Sequence, residues 1–228
     1  MTIDINEVYR YLGYLNNSQM QSDSATDRMI SEISREIMSE CHPKYTSREF
    51  TIAELEDTSS SPVSVNTSTP AQGVTFGTDS VTDPLGCGEV TFNSRSLAKH
   101  LKDCDRLILF AATLGPEIDR IIRKYEVLSL AKASIAQAVG TAAIEAFADT
   151  RCAILRRNYG QIKSRFSPGY GDFSLTYQLD FHRILNMRNT LGITLNDALL
   201  MTPSKSITAV IGIPKSGDSL NDWRQNEH

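Results

Sequence analysis

One segment of the sequence has the residue types of a small-molecule site. It is RFSPGYGD, which runs from Arg165 to Asp172. An arginine can hold a carboxylate with two parallel N–H groups, and a tyrosine adds a flat ring and a hydroxyl. A proline–glycine turn also brings bare backbone amides and carbonyls close together. The segment therefore suits a ligand with a carboxylate and an aromatic ring, and a well-made surface turn is the alternative.

A second candidate is a single carboxylate, Glu145, in a stretch composed mainly of alanine, isoleucine, valine and phenylalanine. In a helix, its neighbours on the same face would include Thr141, Ala142, Ala148 and Asp149. Burying a charge without a partner is costly. Glu145 therefore either has a partner elsewhere in the fold or points to solvent from a partly exposed stripe. The sequence leaves both interpretations open.

The sequence lacks the other common catalytic and metal-binding patterns. It contains no P-loop, no G-x-G-x-x-G, no G-x-S-x-G and no nucleophile with an evident base, so we assign no catalytic residue. The four cysteines (Cys41, Cys87, Cys104 and Cys152) form no C-x-x-C pair, and the four histidines form no H-E-x-x-H. We expect reduced thiols and no metal site.

Composition narrows the class of protein. The 228 residues include 23 Lys+Arg and 27 Asp+Glu, a net charge of −4, which argues against nucleic-acid binding. No apolar run approaches the ~20 residues of a membrane span. Asp4 and Glu7 occupy the N-terminus, where a signal peptide would carry positive charge. We expect a cytoplasmic protein that contacts neither nucleic acid nor membrane.

The elements that must position these residues follow from hydrophobic periodicity. Residues 1–42 are expected to be an N-terminal helical segment that ends before Pro43, and 43–92 a β-rich and loop-rich region with short strands at PVSV and GVTF. Residues 93–214 are expected to be the core, and 215–228 a flexible tail.

Within the core, one long helix is expected over about 130–159, with a buried first half and an end at Gly160. The other expected elements are helices over 93–104, 116–128 and 174–186, strands over 106–115 and 206–214, and a turn, short helix and loop over 191–206. This mixture predicts an α+β fold: a single domain with a twisted, mainly antiparallel sheet and several helices, including the long buried one.

The motifs also resemble those of a known family. RFSPGYGD resembles the R-x-x-P-G-Y signature of the activation domain of cobalamin-dependent methionine synthase. EAFAD upstream is similar to the glutamate-bearing helix of that domain, and GITL…MTPSKSITAVIGI downstream is similar to its closing loop and strand. LFAATLG is similar to standalone members. The resemblance covers roughly residues 85 to 214, with all three blocks in the family's order.

The resemblance implies that S-adenosylmethionine is the ligand. Arg165 would pair with the methionyl carboxylate, and Ser167 and Gly169 would offer backbone contacts, since glycine allows close approach. Tyr170 would line the pocket. Glu145 would take a polar or cationic part of the ligand.

The resemblance also implies partners. In that family the domain lies over the corrinoid and restores cob(II)alamin by reductive methylation, with one electron from a flavodoxin- or ferredoxin-type donor and a methyl group from S-adenosylmethionine. The sequence shows no homocysteine, folate or corrinoid domain. The protein would therefore be a methyltransferase component that cannot make methionine alone. It would act on cobalamin carried by a corrinoid-binding protein or by a methionine synthase lacking its own activation domain.

The sequence departs from the family at two places. The family's full-length enzymes have an aspartate near the domain's start in a D-W-T-P-like context, where this chain reads EVYRYLGYLN. They have a tyrosine after the final strand, where this chain reads PKSGDSLNDW. These departures favour a second hypothesis, a non-catalytic corrinoid-protein cap or assembly partner that has lost ligand binding. A third is a protein that binds a different carboxylate at the Arg165 turn.

Overall fold

The computed structural model describes residues 2–14, 24–52, 63–66 and 90–215 of the chain. The helices are α1 (Ile5–Tyr11), α2 (Ser24–Glu40), α3 (Arg95–His100), α4 (Glu117–Leu128), α5 (Leu130–Tyr159), α6 (Gln178–Ile184) and α7 (Met187–Leu191), with a 3-10 turn at Leu175–Tyr177 before α6. The strands are β1 (Lys44–Ile52), β2 (Val63–Asn66), β3 (Val90–Phe92), β4 (Cys104–Thr113), β5 (Thr194–Leu195), β6 (Met201–Thr202) and β7 (Ser206–Pro214).

The main sheet contains five strands in the order β3-β2-β1-β4-β7, and all neighbouring strands are antiparallel. Strand β4 lies between β1 and β7 and is buried along most of its length. Its nearly continuous apolar sequence is typical of a strand that is covered on both faces. The predicted α+β fold with a mainly antiparallel sheet is confirmed.

Side chains of β4 alternate between two apolar cores because successive residues of a strand point to opposite faces. Ile108, Phe110 and Ala112 belong to the core that also contains the buried residues of α1, α2, α4 and α5. Leu107, Leu109 and Ala111 belong to the core that contains those of α3, α6 and α7. The sheet thus lies between two groups of helices.

Helix α5 has 30 residues and is the long buried helix that the sequence predicts. The Ser129 hydroxyl caps its start by accepting the Lys132 N–H at 3.4 Å. The helix ends at Gly160, whose φ is +76°, after a last turn that carries Arg156 and Arg157. Its buried residues run from Ala133 to Leu155, whereas Glu145 is partly exposed and Asp149 and Arg156 are exposed.

Two predicted helices differ from the structure. The helix expected over 93–104 ends at His100, because Asp103 adopts a positive φ of 67° and Cys104 already begins β4. The helix expected over 174–186 is divided into the 3-10 turn and α6, and a separate helix, α7, follows Asn186, which adopts a left-handed conformation.

The prediction of a short helix within 191–206 is wrong. Strands β5 and β6 form a hairpin there. The Asn196 side chain accepts the N–H groups of Ala198 and Leu200 at 3.0 and 2.9 Å. This side chain holds the turn in place of a helical hydrogen-bond pattern.

Several expectations concern residues that the structure does not describe. The strand at GVTF, the environment of Cys87 and the tail from residue 216 lie outside the described residues, whereas β2 forms at the expected PVSV segment. Among the described helices, none has the combined length and apolarity needed to cross a membrane.

Candidate functional site

The segment that carries Arg165 is placed by backbone pairing with β7. Beyond Gly160, the Lys163 N–H donates to the Gly212 carbonyl at 2.8 Å. Phe166 and Val210 exchange two hydrogen bonds at 2.9 and 2.8 Å. These bonds fix the segment along the edge of the sheet. Arg165 is therefore held in a defined register beside α5.

Arg165 lies between two carboxylates of α5. One guanidinium nitrogen donates to Glu145 Oε2 at 2.6 Å, and the other lies 3.0 Å from Asp149 Oδ1. The two acids are one helical turn apart, so both can reach the same cation. The side chains of Arg165, Glu145 and Asp149 are 16%, 39% and 74% exposed, respectively. Glu145 thus has a partner and also lies at the protein surface.

A cleft of about 230 Å³ opens beside this ion pair. It brings together Glu145, Arg165, Ser167 and Tyr170, which the sequence singles out. The complete lining is Glu145, Asp149, Cys152, Arg156, Lys163, Ser164, Arg165, Ser167, Tyr170 and Ile207. Two motifs separated in the sequence therefore face one cavity.

Gly169, the remaining predicted site residue, lies in the same turn but does not line the cleft. Its φ is +99°, a conformation that favours glycine. Its N–H donates to the Phe173 carbonyl at 2.7 Å, and the Tyr170 N–H donates to the Ser167 carbonyl at 3.2 Å. The amides of Gly169 and Tyr170 are therefore used to close the turn.

The charges of the cleft are separated along α5. Glu145, Asp149, Cys152 and Arg156 follow one another at spacings of four, three and four residues, which places them on one stripe of the helix. Asp149 and Arg156 are about 10 Å apart along the helix axis. With Arg165, the acidic end carries one net negative charge, whereas Arg156 and Lys163 make the other end positive. Such a cleft complements a ligand that has both a cationic and an anionic group.

The thiol in the cleft is not a ready nucleophile. Burial raises the pKa of Cys152, and the opposing effect of the nearby Arg165 does not offset it. The distance from an Arg165 nitrogen to Cys152 Sγ is 3.9 Å. Because the thiolate is the reactive form, the neutral thiol serves as a polar wall of the cleft.

Sequence reasoning missed part of the lining. Cys152 and Arg156 could have been found from their helical spacing to Glu145, as Asp149 was. No local signal marks Lys163 and Ser164, because their position depends on the pairing with β7. Within the described residues, no group of three or more His, Cys, Asp or Glu side chains could hold a metal ion.

Comparisons with known proteins inform the fold. No protein-family model matches the chain, and no curated protein matches it significantly. Among solved structures, the crystal structure of the MetH reactivation domain bound to AdoHcy aligns with a TM-score of 0.61. The alignment covers 95% of this chain and 75% of that chain, at 15% sequence identity.

The chain is similar in fold to the MetH reactivation domain. The resemblance read from the sequence motifs is thereby confirmed at the level of fold. At this identity the similarity concerns the arrangement of helices and strands, and the bound AdoHcy is a property of the MetH reactivation domain.

Proposed function

We propose that this protein is an accessory module for the reductive methylation of cob(II)alamin on a partner, either a cobalamin-dependent methionine synthase or a related corrinoid protein. S-adenosylmethionine supplies the methyl group, and a flavodoxin- or ferredoxin-type protein supplies one electron. In the net reaction, cob(II)alamin, one electron and S-adenosylmethionine give methylcobalamin and AdoHcy. The module binds and orients its ligand and does not make methionine itself.

One observation carries this proposal. The R-x-x-P-G-Y turn and the glutamate-bearing helix, which resemble the ligand-binding motifs of the activation domain, line the same cleft in a chain with the fold of the MetH reactivation domain. The turn and the helix are connected directly by the 2.6 Å contact between Arg165 and Glu145. The proposal therefore rests on the resemblance of the two motifs and their proximity in the structure, together with the similarity in fold.

The residues of the cleft fit the amino-acid end of S-adenosylmethionine. Glu145 and Asp149 can accept hydrogen bonds from an ammonium group. The cations that line the cleft and could bind a carboxylate are Arg156, Lys163, which also donates to the Lys102 carbonyl, and Arg165, which also contacts Glu145 and Asp149. Tyr170 lines the cleft and is 59% exposed. These groups can hold the ligand and exclude water on one side of it.

Isothermal titration with S-adenosylmethionine and with AdoHcy tests ligand binding. Saturable binding is expected, and Arg165→Ala and Glu145→Ala should each weaken it by about tenfold or more, as expected for loss of a charge-assisted hydrogen bond. Arg183→Ala is the matched control, because Arg183 pairs with Asp180 on the exposed surface of α6. Absence of binding, or an equal effect of the control, would contradict the proposal.

A second experiment tests the reaction. A cobalamin-loaded methionine synthase that lacks its own activation domain is combined with this protein, reduced flavodoxin and S-adenosylmethionine. Conversion of the cob(II)alamin absorption spectrum to that of methylcobalamin should require all components. It should also be slower with Arg165→Ala than with Arg183→Ala. Conversion at the same rate without this protein would refute the role.

The structure also offers an observation in favour of the second candidate, a non-catalytic cap. Arg165 already contacts both Glu145 and Asp149, so a ligand carboxylate must compete with two internal carboxylates. A cap should bind its corrinoid partner equally well with and without S-adenosylmethionine. The reactivation module should bind cob(II)alamin-loaded partner more tightly when S-adenosylmethionine is present, and pull-down titrations with and without it separate the two.

A further inference from the structure

Helix α3 binds the far end of the turn that carries the candidate site. Asp172, the last residue of RFSPGYGD, accepts three hydrogen bonds from the start of this helix. The Ser94 hydroxyl and the Ser96 N–H donate to Oδ1 at 2.6 and 3.0 Å, and the Arg95 N–H donates to Oδ2 at 2.9 Å. The bonds from Arg95 and Ser96 satisfy amides that have no partner within the helix. The Ser94 hydroxyl and these two amides hold the pKa of Asp172 well below its usual range.

The other end of α3 contacts the beginning of the same segment. Nε2 of His100, the last residue of the helix, lies 3.0 Å from the Ser164 carbonyl oxygen, next to Arg165. The His100 ring stacks on Phe166 with a centroid distance of 5.0 Å and an interplanar angle of 26°. The helix therefore touches the segment at Ser164 and Phe166 and again at Asp172, beyond Tyr170.

Close packing at Gly171 shows how tightly the turn lies on α3. The φ of Gly171 is +56°, and a Cβ at this position would lie 2.4 Å from Ser96 Oγ and 2.9 Å from Ser96 Cβ. No other residue type fits without displacing the turn from the helix. Gly169, Tyr170, Gly171 and Asp172 are themselves exposed, so burial does little to order this part of the turn.

We propose that Asp172 and His100 are positioning residues, and that α3 acts as a brace that holds the Arg165–Tyr170 turn in the shape required for ligand binding. Neither residue lines the cleft. Each acts through the turn: Asp172 fixes Gly169 and Tyr170 from one side, and His100 fixes Arg165 from the other. The inference rests on the proposed function, because ligand affinity is one of its two readouts.

The test compares Asp172→Asn with Asp180→Asn in the full chain. Asparagine keeps the shape of the side chain but replaces one acceptor oxygen with a donor that faces the α3 amides. Asp180 pairs with the exposed Arg183 on the surface of α6, so its variant controls for the loss of one surface carboxylate. For each protein, amide hydrogen exchange is measured by mass spectrometry, and affinity for S-adenosylmethionine is measured by isothermal titration.

In Asp172→Asn, we expect exchange to increase about tenfold in peptides covering 164–173, with little change in peptides from α5 and β4. The affinity should fall by about tenfold, which corresponds to about 1.4 kcal/mol. Asp180→Asn should change neither quantity. His100→Phe keeps a ring to stack on Phe166 but loses the hydrogen bond to the Ser164 carbonyl, so it should show a smaller change in the same peptides.

A second pair of variants distinguishes displacement of the turn from a general loss of stability. Gly171→Ala and Gly192→Ala both place a side chain at a positive φ, but a Cβ at Gly192 meets no atom within 4 Å. The backbone strain is therefore similar in the two variants, and only Gly171→Ala pushes the turn away from α3. Weaker binding in Gly171→Ala than in Gly192→Ala is expected.

The outcomes separate this inference from the proposed function. If the wild-type chain binds and Asp172→Asn leaves either affinity or local exchange unchanged, the positioning role is overturned. A uniform rise in exchange over the whole chain also overturns it, since that would show general destabilisation. If the wild-type chain does not bind S-adenosylmethionine, the proposed function fails, and a local rise in exchange then identifies α3 as a structural support only.

Discussion

The ion pair between Arg165 and Glu145 gives the most direct test of the site's architecture. The perturbation is a double-mutant cycle with Glu145→Gln, Arg165→Gln and the combined variant. Glutamine removes the charge and retains much of the side-chain volume. The cycle isolates the interaction between the two residues, because effects that each substitution has on its other neighbours cancel.

The structure sets the expected magnitude. The contact is 2.6 Å long, and the Arg165 side chain is 16% exposed. Two unit charges ~4 Å apart in an effective dielectric of ~20 attract by ~4 kcal/mol. Because Glu145 is 39% exposed, solvent screening and side-chain ordering must reduce this value strongly. A coupling free energy of about 1.5 kcal/mol is therefore expected, within the range of hydrogen bonds to charged groups.

The assay is the free energy of unfolding from urea titrations at pH 7. The control cycle uses Arg183 and Asp180, which lie 3.4 Å apart with side chains that are 51% and 31% exposed. That pair should couple by only about 0.3 kcal/mol, as is usual for exposed helix pairs. A coupling at Arg165 and Glu145 no larger than the control would refute the idea that this pair organises the cleft.

The single variants make a further distinction. Arg165→Gln leaves Glu145 and Asp149 one helical turn apart without the cation between them, whereas Glu145→Gln leaves Arg165 with Asp149 as a partner. Arg165→Gln should therefore be the more destabilising substitution. The reverse order would show that the acids do not share this arginine.

Three other predictions follow from packing and pKa shifts. Gly212→Ala should lower the free energy of unfolding by about 1–3 kcal/mol, because the new Cβ would lie 2.7 Å from Cys104 Sγ and 2.9 Å from Leu101; an unchanged urea midpoint would contradict this packing. Burial lowers the pKa of His100, so the folded state binds this proton less readily than the unfolded state does. As the pH falls below about 6.5, protonation therefore favours the unfolded state, and the free energy of unfolding should decrease. The drop in urea midpoint between pH 7.5 and 5.5 should therefore be smaller in His100→Asn than in the wild type. Burial raises the pKa of Cys104 to about 11 and also raises that of Cys152, so both should react with iodoacetamide at pH 8 at least about tenfold more slowly than an exposed thiol, as followed by peptide mass spectrometry.

Much of the fold could be predicted from local patterns. The apolar run of β4 and the small apolar residues of α5 indicate a buried strand and a buried helix, and both elements form close to the expected bounds. These predictions succeed because the hydrophobic periodicity of an element depends on consecutive residues. The hairpin of β5 and β6 was not predicted, because the hydrogen bonds of the Asn196 side chain outweigh the helical tendency of the residues that follow.

The candidate site likewise has features that local patterns predict and features that they do not. Residue types and their local context single out the candidate residues: Arg165 in its proline–glycine turn and Glu145 in an apolar helix. That these two residues meet follows from the tertiary structure, since their contact depends on the pairing of the segment around Phe166 with β7. The link between Asp172 and the start of α3 joins residues 78 positions apart at Ser94. Contacts of this kind depend on how distant parts of the chain fold together, so local sequence patterns do not predict them.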